Sequence, residues 1–201
     1  MKRNTSLRSR LLLLAACLAM ATSAAAQLAT WQIDPNHSSA QFTVKHMVIS
    51  TVRGTFNKLS GSIQYDPADP SKTSVEATID AASVDTRVEA RDRDLRSPNF
   101  FDVEKFPTLS FKSKRAEPAG PGKMKLVGDL TIHGVTKEVV LDVDGPTAPI
   151  KGPRGSLRMG AAASAKINRK DFGLLWNQMV EGGAVVSDDV NITLDLELVK
   201  R

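Results

Sequence analysis

Hydrophobic and polar residues alternate along much of the chain. Residues 190–199 read V-N-I-T-L-D-L-E-L-V, an almost unbroken alternation. A period of two is typical of a β-strand with one face in a core and the other in water. The same pattern recurs in residues 40–46, 75–79, 108–112, 125–132 and 139–143. The sequence therefore predicts a mainly antiparallel β protein, either two stacked sheets or one sheet closed into a barrel.

Two stretches interrupt the alternation. Residues 87–95 combine good helix formers with a mixed-charge face, which predicts a short helix at the end of the sheet. Arg91, Asp92 and Arg96 could clamp an anionic head group, but an ion pair that fixes the helix to the rim is favoured. Residues 168–183 form a second irregular region. We expect about eight to ten strands with one or two short helical insertions, and no βαβ alternation points to a parallel sheet.

The N-terminus has the pattern of a secretory signal peptide. Basic residues precede an apolar stretch at 11–21, and alanines occupy positions 24–26. This predicts a signal peptide over residues 1–26, cleaved after Ala26. Cys17 offers an alternative, since Leu-Ala-Ala-Cys resembles a lipoprotein signal, but the apolar stretch before it is short. Cleavage after Ala26 removes the single cysteine, so the mature chain would have no thiol for a disulfide, a nucleophile or a metal ligand.

The formal charge of +5 gives little information about partners. It results from 27 Lys and Arg against 22 Asp and Glu. Four of the basic residues lie in the predicted signal peptide, so the mature chain is close to neutral. We therefore expect no nucleic-acid partner, and the mature chain has no stretch long and apolar enough to predict a transmembrane segment.

The inward-facing apolar residues are the main candidate site. Alternation alone does not distinguish a packed core from a ligand pocket, because both use the same residue types. A closed barrel of about eight strands can nevertheless enclose one small apolar ligand. The candidate lining residues are Phe42, Val44, His46, Phe56, Leu109, Phe111, Leu130, Leu141 and Met159, with Phe172, Trp176 and Met179 near one mouth.

The histidines, together with carboxylates such as Asp34, are the candidates for proton or metal chemistry. His37, His46 and His133 have no spacing typical of a metal site, so no bound metal is expected. His46 has the inward parity of Phe42 and could place a polar group in the interior. Two alternatives to simple binding remain open: a quinone-linked redox or stress-response protein in which His46 or His37 handles protons, and an interaction protein whose barrel is filled by its own side chains.

Four segments in order resemble the YceI-like family of bacterial secreted lipid-binding proteins. They are D-P-N-H-S-S-A-Q-F-T-V-K-H-M at 34–47, R-D-R-D-L-R-S-P-N-F-F-D-V-E-K-F-P at 91–107, V-G-D-L-T-I-H-G-V-T-K at 127–137 and I-N-R-K-D-F-G-L at 167–174. The resemblance covers essentially all of residues 27–201. Many members carry His where this chain has Asp94, which leaves only the role of that side chain in question.

The resemblance implies a lipocalin-like antiparallel barrel of about eight strands, secreted to the periplasm. It also implies a long apolar ligand inside the barrel, such as a polyisoprenoid, a prenylated quinone or a fatty amide. No catalytic activity is implied, and no cofactor other than a bound lipid. The oligomeric state stays open, with a homodimer as one candidate.

Overall fold

The computed structural model describes residues 28–181 and 183–201. The predicted signal peptide, with Cys17 and the cleavage site after Ala26, lies outside the described residues. Export and the alternative lipid anchor therefore stay predictions.

The described residues form short and long strands with one α-helix between them. The strands are β1 (Ala29–Ile33), β2 (Ser39–His46), β3 (Ser50–Phe56), β4 (Leu59–Tyr65), β5 (Ser74–Asp80), β6 (Val84–Asp85), β7 (Thr108–Pro118), β8 (Lys123–Ile132), β9 (Val135–Asp144), β10 (Ile150–Lys151), β11 (Leu157–Asn168), β12 (Met179–Val180), β13 (Gly183–Ala184) and β14 (Asp189–Lys200). The helix is α1 (Glu89–Arg96), and 3₁₀ turns cover Pro70–Lys72, Ala81–Ser83, Pro153–Gly155 and Arg169–Phe172. No helix in this described part of the chain has the length and hydrophobicity needed to cross a bilayer.

Eight of the described strands close into an antiparallel barrel. Their order around the ring is β11-β9-β8-β7-β5-β4-β1-β14, and β14 pairs back onto β11. This confirms the predicted all-β, lipocalin-like barrel. Closure leaves no free sheet edge within the ring, and the interior is reached only from its ends.

The barrel wall divides at β14. One edge of β14 pairs with β11 from Asp189 to Val199. Its other edge pairs with β2 at residues 191–195 and with β1 at residues 198–200. The ring continues through β1, whereas β2, β3 and β6 extend from β14 as a flap at one end of the barrel. We call this end the mouth.

The alternation places apolar side chains inside and charged side chains outside. Leu198 is fully buried and Trp31 is 3% exposed. On the outer face, cross-strand partners such as Lys125 and Asp142 form exposed ion pairs. The apolar residues of the ring strands therefore form a single core along the barrel axis.

Helix α1 lies at the mouth end and is fixed mainly by charged side chains bonded to backbone. The Arg96 guanidinium donates hydrogen bonds to the carbonyls of Ala82 (2.8 Å) and Val84 (2.6 Å). The buried Asp92 carboxylate accepts one from the Thr86 N–H (2.8 Å). The helix itself agrees with the sequence prediction, but these are not the ion pairs expected of Asp92 and Arg96. They satisfy backbone groups that the 3₁₀ turn and β6 leave unpaired.

Candidate functional site

Two apolar cavities lie within the described part of the chain. The interior cavity, about 140 Å³, lies among the ring strands, with Phe42 and Phe56 of the flap at one side. The mouth cavity, about 280 Å³, lies between the flap, α1, the loop after it, the start of β14 and the segment 167–176.

The interior cavity is lined mainly by inward-facing apolar side chains, most of them aliphatic. Its lining includes Ile33, Leu59, Ile63, Val75, Leu126 and Leu196. They come from five different strands of the closed ring, because each strand contributes every second residue to the interior. A cavity of this lining excludes charge and favours hydrocarbon.

The two cavities are separated by a partition of apolar side chains. The residues that line both are Phe42, Phe56, Leu109, Ile132 and Ile192. The Phe42 and Phe56 ring centroids are 5.7 Å apart, and Phe101 packs edge-on against Phe56 at 5.6 Å. The cavities therefore follow one another along the barrel, with two phenylalanine rings between them.

Gly54 makes space for the Phe42 ring. The two residues are directly opposite in the β2–β3 pairing. A Cβ at position 54 would lie 2.3 Å from Cζ of Phe42, a distance that no real contact allows. The ring position thus depends on the absence of a side chain at Gly54.

The structure places ten of the twelve predicted lining residues at these cavities. Phe111, Leu130 and Leu141 line the interior, and Phe42, Phe56 and Leu109 line both. The mouth cavity takes Val44, His46, Phe172 and Trp176. That these side chains contact a ligand stays a prediction.

Met159 and Met179 line neither cavity. Met159 is 2% exposed and belongs to the packed core. Its inward parity was correct, but parity does not decide whether an inward side chain lines a cavity or packs against its neighbours. Met179 is 73% exposed on β12, in a region where no alternation indicated its direction.

Several lining residues did not enter the sequence prediction. The inward residues of β14, such as Ile192 and Leu194, line the interior and could have been selected from the alternation of residues 190–199. Phe100 and Phe101 line the mouth cavity from a loop without periodicity, where alternation gives no direction for a side chain.

Polar side chains are concentrated at the mouth cavity. Its lining includes His46, Arg91, Asp94 and Arg169. Arg91 donates to the Thr86 hydroxyl and carbonyl, and Asp94 accepts from the Asn99 amide at 3.0 Å. An elongated ligand would therefore meet mainly hydrocarbon in the interior and charged side chains at this end.

Arg169 holds the segment that covers the mouth cavity. Its side chain is buried, and it donates to the carbonyls of Leu174, Trp176 (2.8 Å) and Ser187 (3.0 Å). Burial lowers the pKa of this guanidinium, although Asp188 at 3.3 Å opposes the shift. Arg169 therefore holds the chain at Leu174 and Trp176 close to the chain at Ser187, just before β14.

The other two histidines lie away from the cavities. His133 is in the β8–β9 turn, where its ring packs against Phe106 at 4.6 Å. His37 Nδ1 lies 2.9 Å from Asp34 Oδ2, at the barrel end opposite the mouth. The hydrogen bond with His37, with contributions from the Asn36 N–H and from Arg158, lowers the pKa of Asp34 to about 2.

Asp34, His37 and Glu197 have the donor types of a metal site, with ligand atoms within 4.8 Å of one another. The guanidinium of Arg158, however, donates to both carboxylates. A cation already occupies the position between them, so the group is an ion-pair cluster.

A closed antiparallel barrel with an apolar interior and a polar mouth defines a lipocalin-like protein. A family model described as the YceI-like domain matches residues 31–198. The chain therefore belongs to the YceI-like family.

Similar proteins agree with this assignment. A UPF0312 protein of Vibrio cholerae is 38% identical over 152 residues, which are 75% of this chain and 80% of the relative. The crystal structure of the Campylobacter jejuni YCEI protein superposes with a TM-score of 0.67 at 34% identity, over 78% of this chain and 90% of that one. A polyisoprenoid binding domain from Saccharophagus degradans has a TM-score of 0.63 at 18% identity, over 87% of this chain and all of that domain, and shares the fold.

Proposed function

We propose that this protein binds a long apolar lipid inside its barrel, as a carrier or reservoir and without catalysis. Polyisoprenoids and prenylated quinones are the ligands that suit it. The observation that carries the proposal is the hydrocarbon-lined interior cavity, in series with a second cavity that ends among polar side chains. The name of the Saccharophagus degradans domain, which has the same fold, supports the same class of ligand.

Burial of hydrocarbon is sufficient to drive this binding. Removing ~500 Å² of prenyl chain from water gives ~12 kcal/mol gross at ~25 cal/mol per Å². Loss of translational and rotational freedom opposes association by roughly 4–15 kcal/mol. At the lower end of this cost the affinity is near micromolar, about −8 kcal/mol, without any polar contact. Such a site selects for slimness and length of the chain.

The cavity volumes indicate that the ligand must join the two cavities. An apolar cavity of about 150 Å³ holds one benzene, and the interior cavity of about 140 Å³ offers comparable room. Pockets for larger ligands have roughly 300–1,000 Å³. A chain of several prenyl units would therefore extend through both cavities and displace the rings of Phe42 and Phe56.

The polar lining suggests how the ligand is oriented. A prenylated lipid has an apolar tail and a compact polar end. The tail fits the interior, and the polar end then lies at the mouth, within reach of His46 and the cationic side chains there. In this orientation His46 would hydrogen-bond to a quinone carbonyl or a lipid hydroxyl.

The proposed place of action is the periplasm. A signal peptide over residues 1–26 would export the chain, and cleavage after Ala26 would leave it unanchored. Mass spectrometry of the protein recovered from a bacterial periplasm gives the mature N-terminus. A mature chain starting at an acylated Cys17 would contradict this part of the proposal.

The binding proposal is tested by filling the interior cavity. Ala163 faces that cavity from β11, whereas its neighbour Ala162 lines neither cavity. Ala163→Leu is expected to weaken binding of a long prenyl lipid at least about tenfold, since three added carbons take up much of the void. Ala162→Leu, the matched control, is expected to leave binding unchanged.

The measurements are native mass spectrometry of periplasmic protein, titration with a fluorescent prenyl lipid and thermal unfolding. A wild-type protein that carries no apolar ligand and binds none in solution would overturn the proposed function. Equal affinities of the two folded variants would place the ligand outside the interior cavity.

A further inference from the structure

The tip of the β2–β3 hairpin exposes three consecutive apolar side chains. Met47, Val48 and Ile49 are 37%, 72% and 82% exposed. Soluble proteins expose single apolar residues routinely, but contiguous exposed groups mark interaction surfaces. A feature that leaves this much hydrocarbon in water calls for a partner.

The backbone at this tip is also unfavourable for its residues. Met47 and Val48 have φ values of 51° and 62°, and the Ile49 N–H donates to the His46 carbonyl at 3.1 Å. Two successive left-handed residues in a hairpin turn favour Asn-Gly. A β-branched residue with positive φ is strained. The chain thus has apolar side chains where turn chemistry favours small polar ones, as expected of a site selected for contact.

Leu175 and Met179 add two exposed apolar side chains at the mouth end. They are 65% and 73% exposed. The Met47 N–H donates to Val185 O, and the Val185 N–H donates to Gln178 O, both at 2.9 Å, which brings the segment before Met179 beside the tip. Leu174 and Trp176, on either side of Leu175, line the mouth cavity. We name Met47, Val48, Ile49, Leu175 and Met179 the mouth patch.

The hairpin that carries the tip is basic. Residues 38–65 contain no Asp or Glu. Lys45 and Arg53 are exposed, opposite Thr51 and Thr43, and the Lys45 ammonium donates to the Thr51 hydroxyl at 2.9 Å. Lys45 also lies at the rim of the mouth cavity. Among the described residues, neither has a carboxylate within 4.0 Å. Two such hairpins would repel each other in a dimer, whereas an anionic surface would attract them.

We propose that the mouth patch is a membrane-docking surface, which inserts its apolar side chains between lipid headgroups while Lys45 and Arg53 contact anionic lipid. Apolar tips flanked by cations suit the interface of a bilayer. Docking places the mouth cavity against the membrane, so a lipid tail can pass between bilayer and barrel without crossing water. The use of this surface for lipid exchange rests on the proposed carrier function.

The test compares vesicle binding of a triple variant with that of a matched control. Met47→Asn, Val48→Gly and Ile49→Thr together remove the apolar tip and supply the residues that the turn favours, so the thermal midpoint should stay equal or rise. The matched control is Ile150→Thr, which changes an apolar residue of similar exposure. Ile150 pairs with Arg158 at the end of β11 that lies away from the mouth. The probe is sedimentation with vesicles of phosphatidylethanolamine containing about one third phosphatidylglycerol.

Wild type and Ile150→Thr are expected to bind the vesicles, and the triple variant to bind at least about tenfold more weakly. Lys45→Gln and Arg53→Gln are each expected to weaken binding about fivefold at low salt, with the difference lost near 0.5 M salt. Absence of vesicle binding by wild type, or equal binding by the triple variant, would overturn the docking proposal. So would a wild-type dimer that the triple variant abolishes, since a second copy would then cover the patch.

Binding of a short prenyl lipid in solution separates this proposal from the carrier function. The triple variant is expected to bind it as wild type does, because the tip lines neither cavity. Normal binding in solution without vesicle binding contradicts docking alone. Vesicle binding without any lipid binding contradicts the carrier function alone.

Discussion

At the scale of single residues, Phe42 and Gly54 decide how much of the barrel interior is continuous. The Phe42 ring sits where a side chain at position 54 would be, and together with Phe56 it divides the hydrocarbon space in two. Phe42 is half-buried, in contrast to Phe56, which is in the core. The Phe42 ring is thus the more easily displaced part of the partition, because fewer packing contacts oppose its rotation.

Replacing Phe42 with Ala is expected to join the two cavities. The association rate of a long prenyl lipid should rise several-fold, since no ring has to move first, while the protein loses about 1–3 kcal/mol of stability with the buried part of the ring. Stopped-flow fluorescence with lipids of increasing length measures the rate. Phe106→Ala, which removes a ring that packs on His133 outside both cavities, is the control. Association rates with the same chain-length dependence in wild type and F42A would contradict this role.

At the scale of elements, α1 is held by its bonds to the segment before it more than by its own sequence. The helix has eight residues, too few for stability in isolation. No side chain caps its N-terminus at Val88. The buried Asp92 carboxylate, which accepts from the Thr86 N–H and hydroxyl, fixes it instead. One wall of the mouth cavity therefore depends on that carboxylate.

Asp92→Ala is expected to loosen α1 without opening the barrel. It leaves the buried N–H of Thr86 without its acceptor, at a cost of about 1–3 kcal/mol. Hydrogen exchange, followed by mass spectrometry, should accelerate in residues 86–101 and stay unchanged in β14. Arg93→Ala breaks only the exposed pair with Glu89 and should cost less than about 0.5 kcal/mol. Uniform acceleration throughout the chain would instead make Asp92 a determinant of the whole fold.

Alternation predicted the strands because each ring strand has one dry and one wet face. The pattern in residues 190–199 lies within β14, and that in residues 125–132 lies within β8. It could not predict the flap, since β2 and β3 have the same period whether they continue the ring or leave it. The helix at 87–95 was predicted from composition, whereas its attachment through Asp92 depends on residues brought together by folding.

For the candidate site, the sequence could predict which strand side chains point into the barrel, but not which of them line a cavity. Leu109 and Phe111 lie at the interior cavity as their alternation requires. The void itself is a property of the space between opposite walls, which no local pattern encodes. Met159 also points inward, but it packs in the core and lines no cavity.

At the scale of the whole molecule, an ion-pair cluster ties three ring strands together at the end opposite the mouth. Asp34 follows β1, Arg158 is on β11 and Glu197 is on β14. Arg158 donates to both carboxylates, and the Asp34 N–H donates to the Glu197 carbonyl at 2.8 Å. These are the strands whose pairing closes the ring. The cluster therefore stabilises the closed ring at the end opposite the mouth.

We expect the ion-pair cluster to make the free energy of unfolding depend on pH. Hydrogen bonding to His37, and to Arg158 on the other side, keeps the Asp34 pKa at about 2, below its ordinary 3.8. Because the folded state favours the ionised carboxylate, the contribution of Asp34 to stability is complete above about pH 5 and is lost as pH falls through 2.

Asp34→Asn should lower the free energy of unfolding by about 1 kcal/mol at pH 6, and the free energies of unfolding of the two proteins should converge near pH 2. Urea unfolding followed by circular dichroism across this range measures the difference, with the exposed Asp195→Asn as control. A difference between wild type and Asp34→Asn that is constant from pH 6 to pH 2 would mean that Asp34 acts through packing and not through its charge.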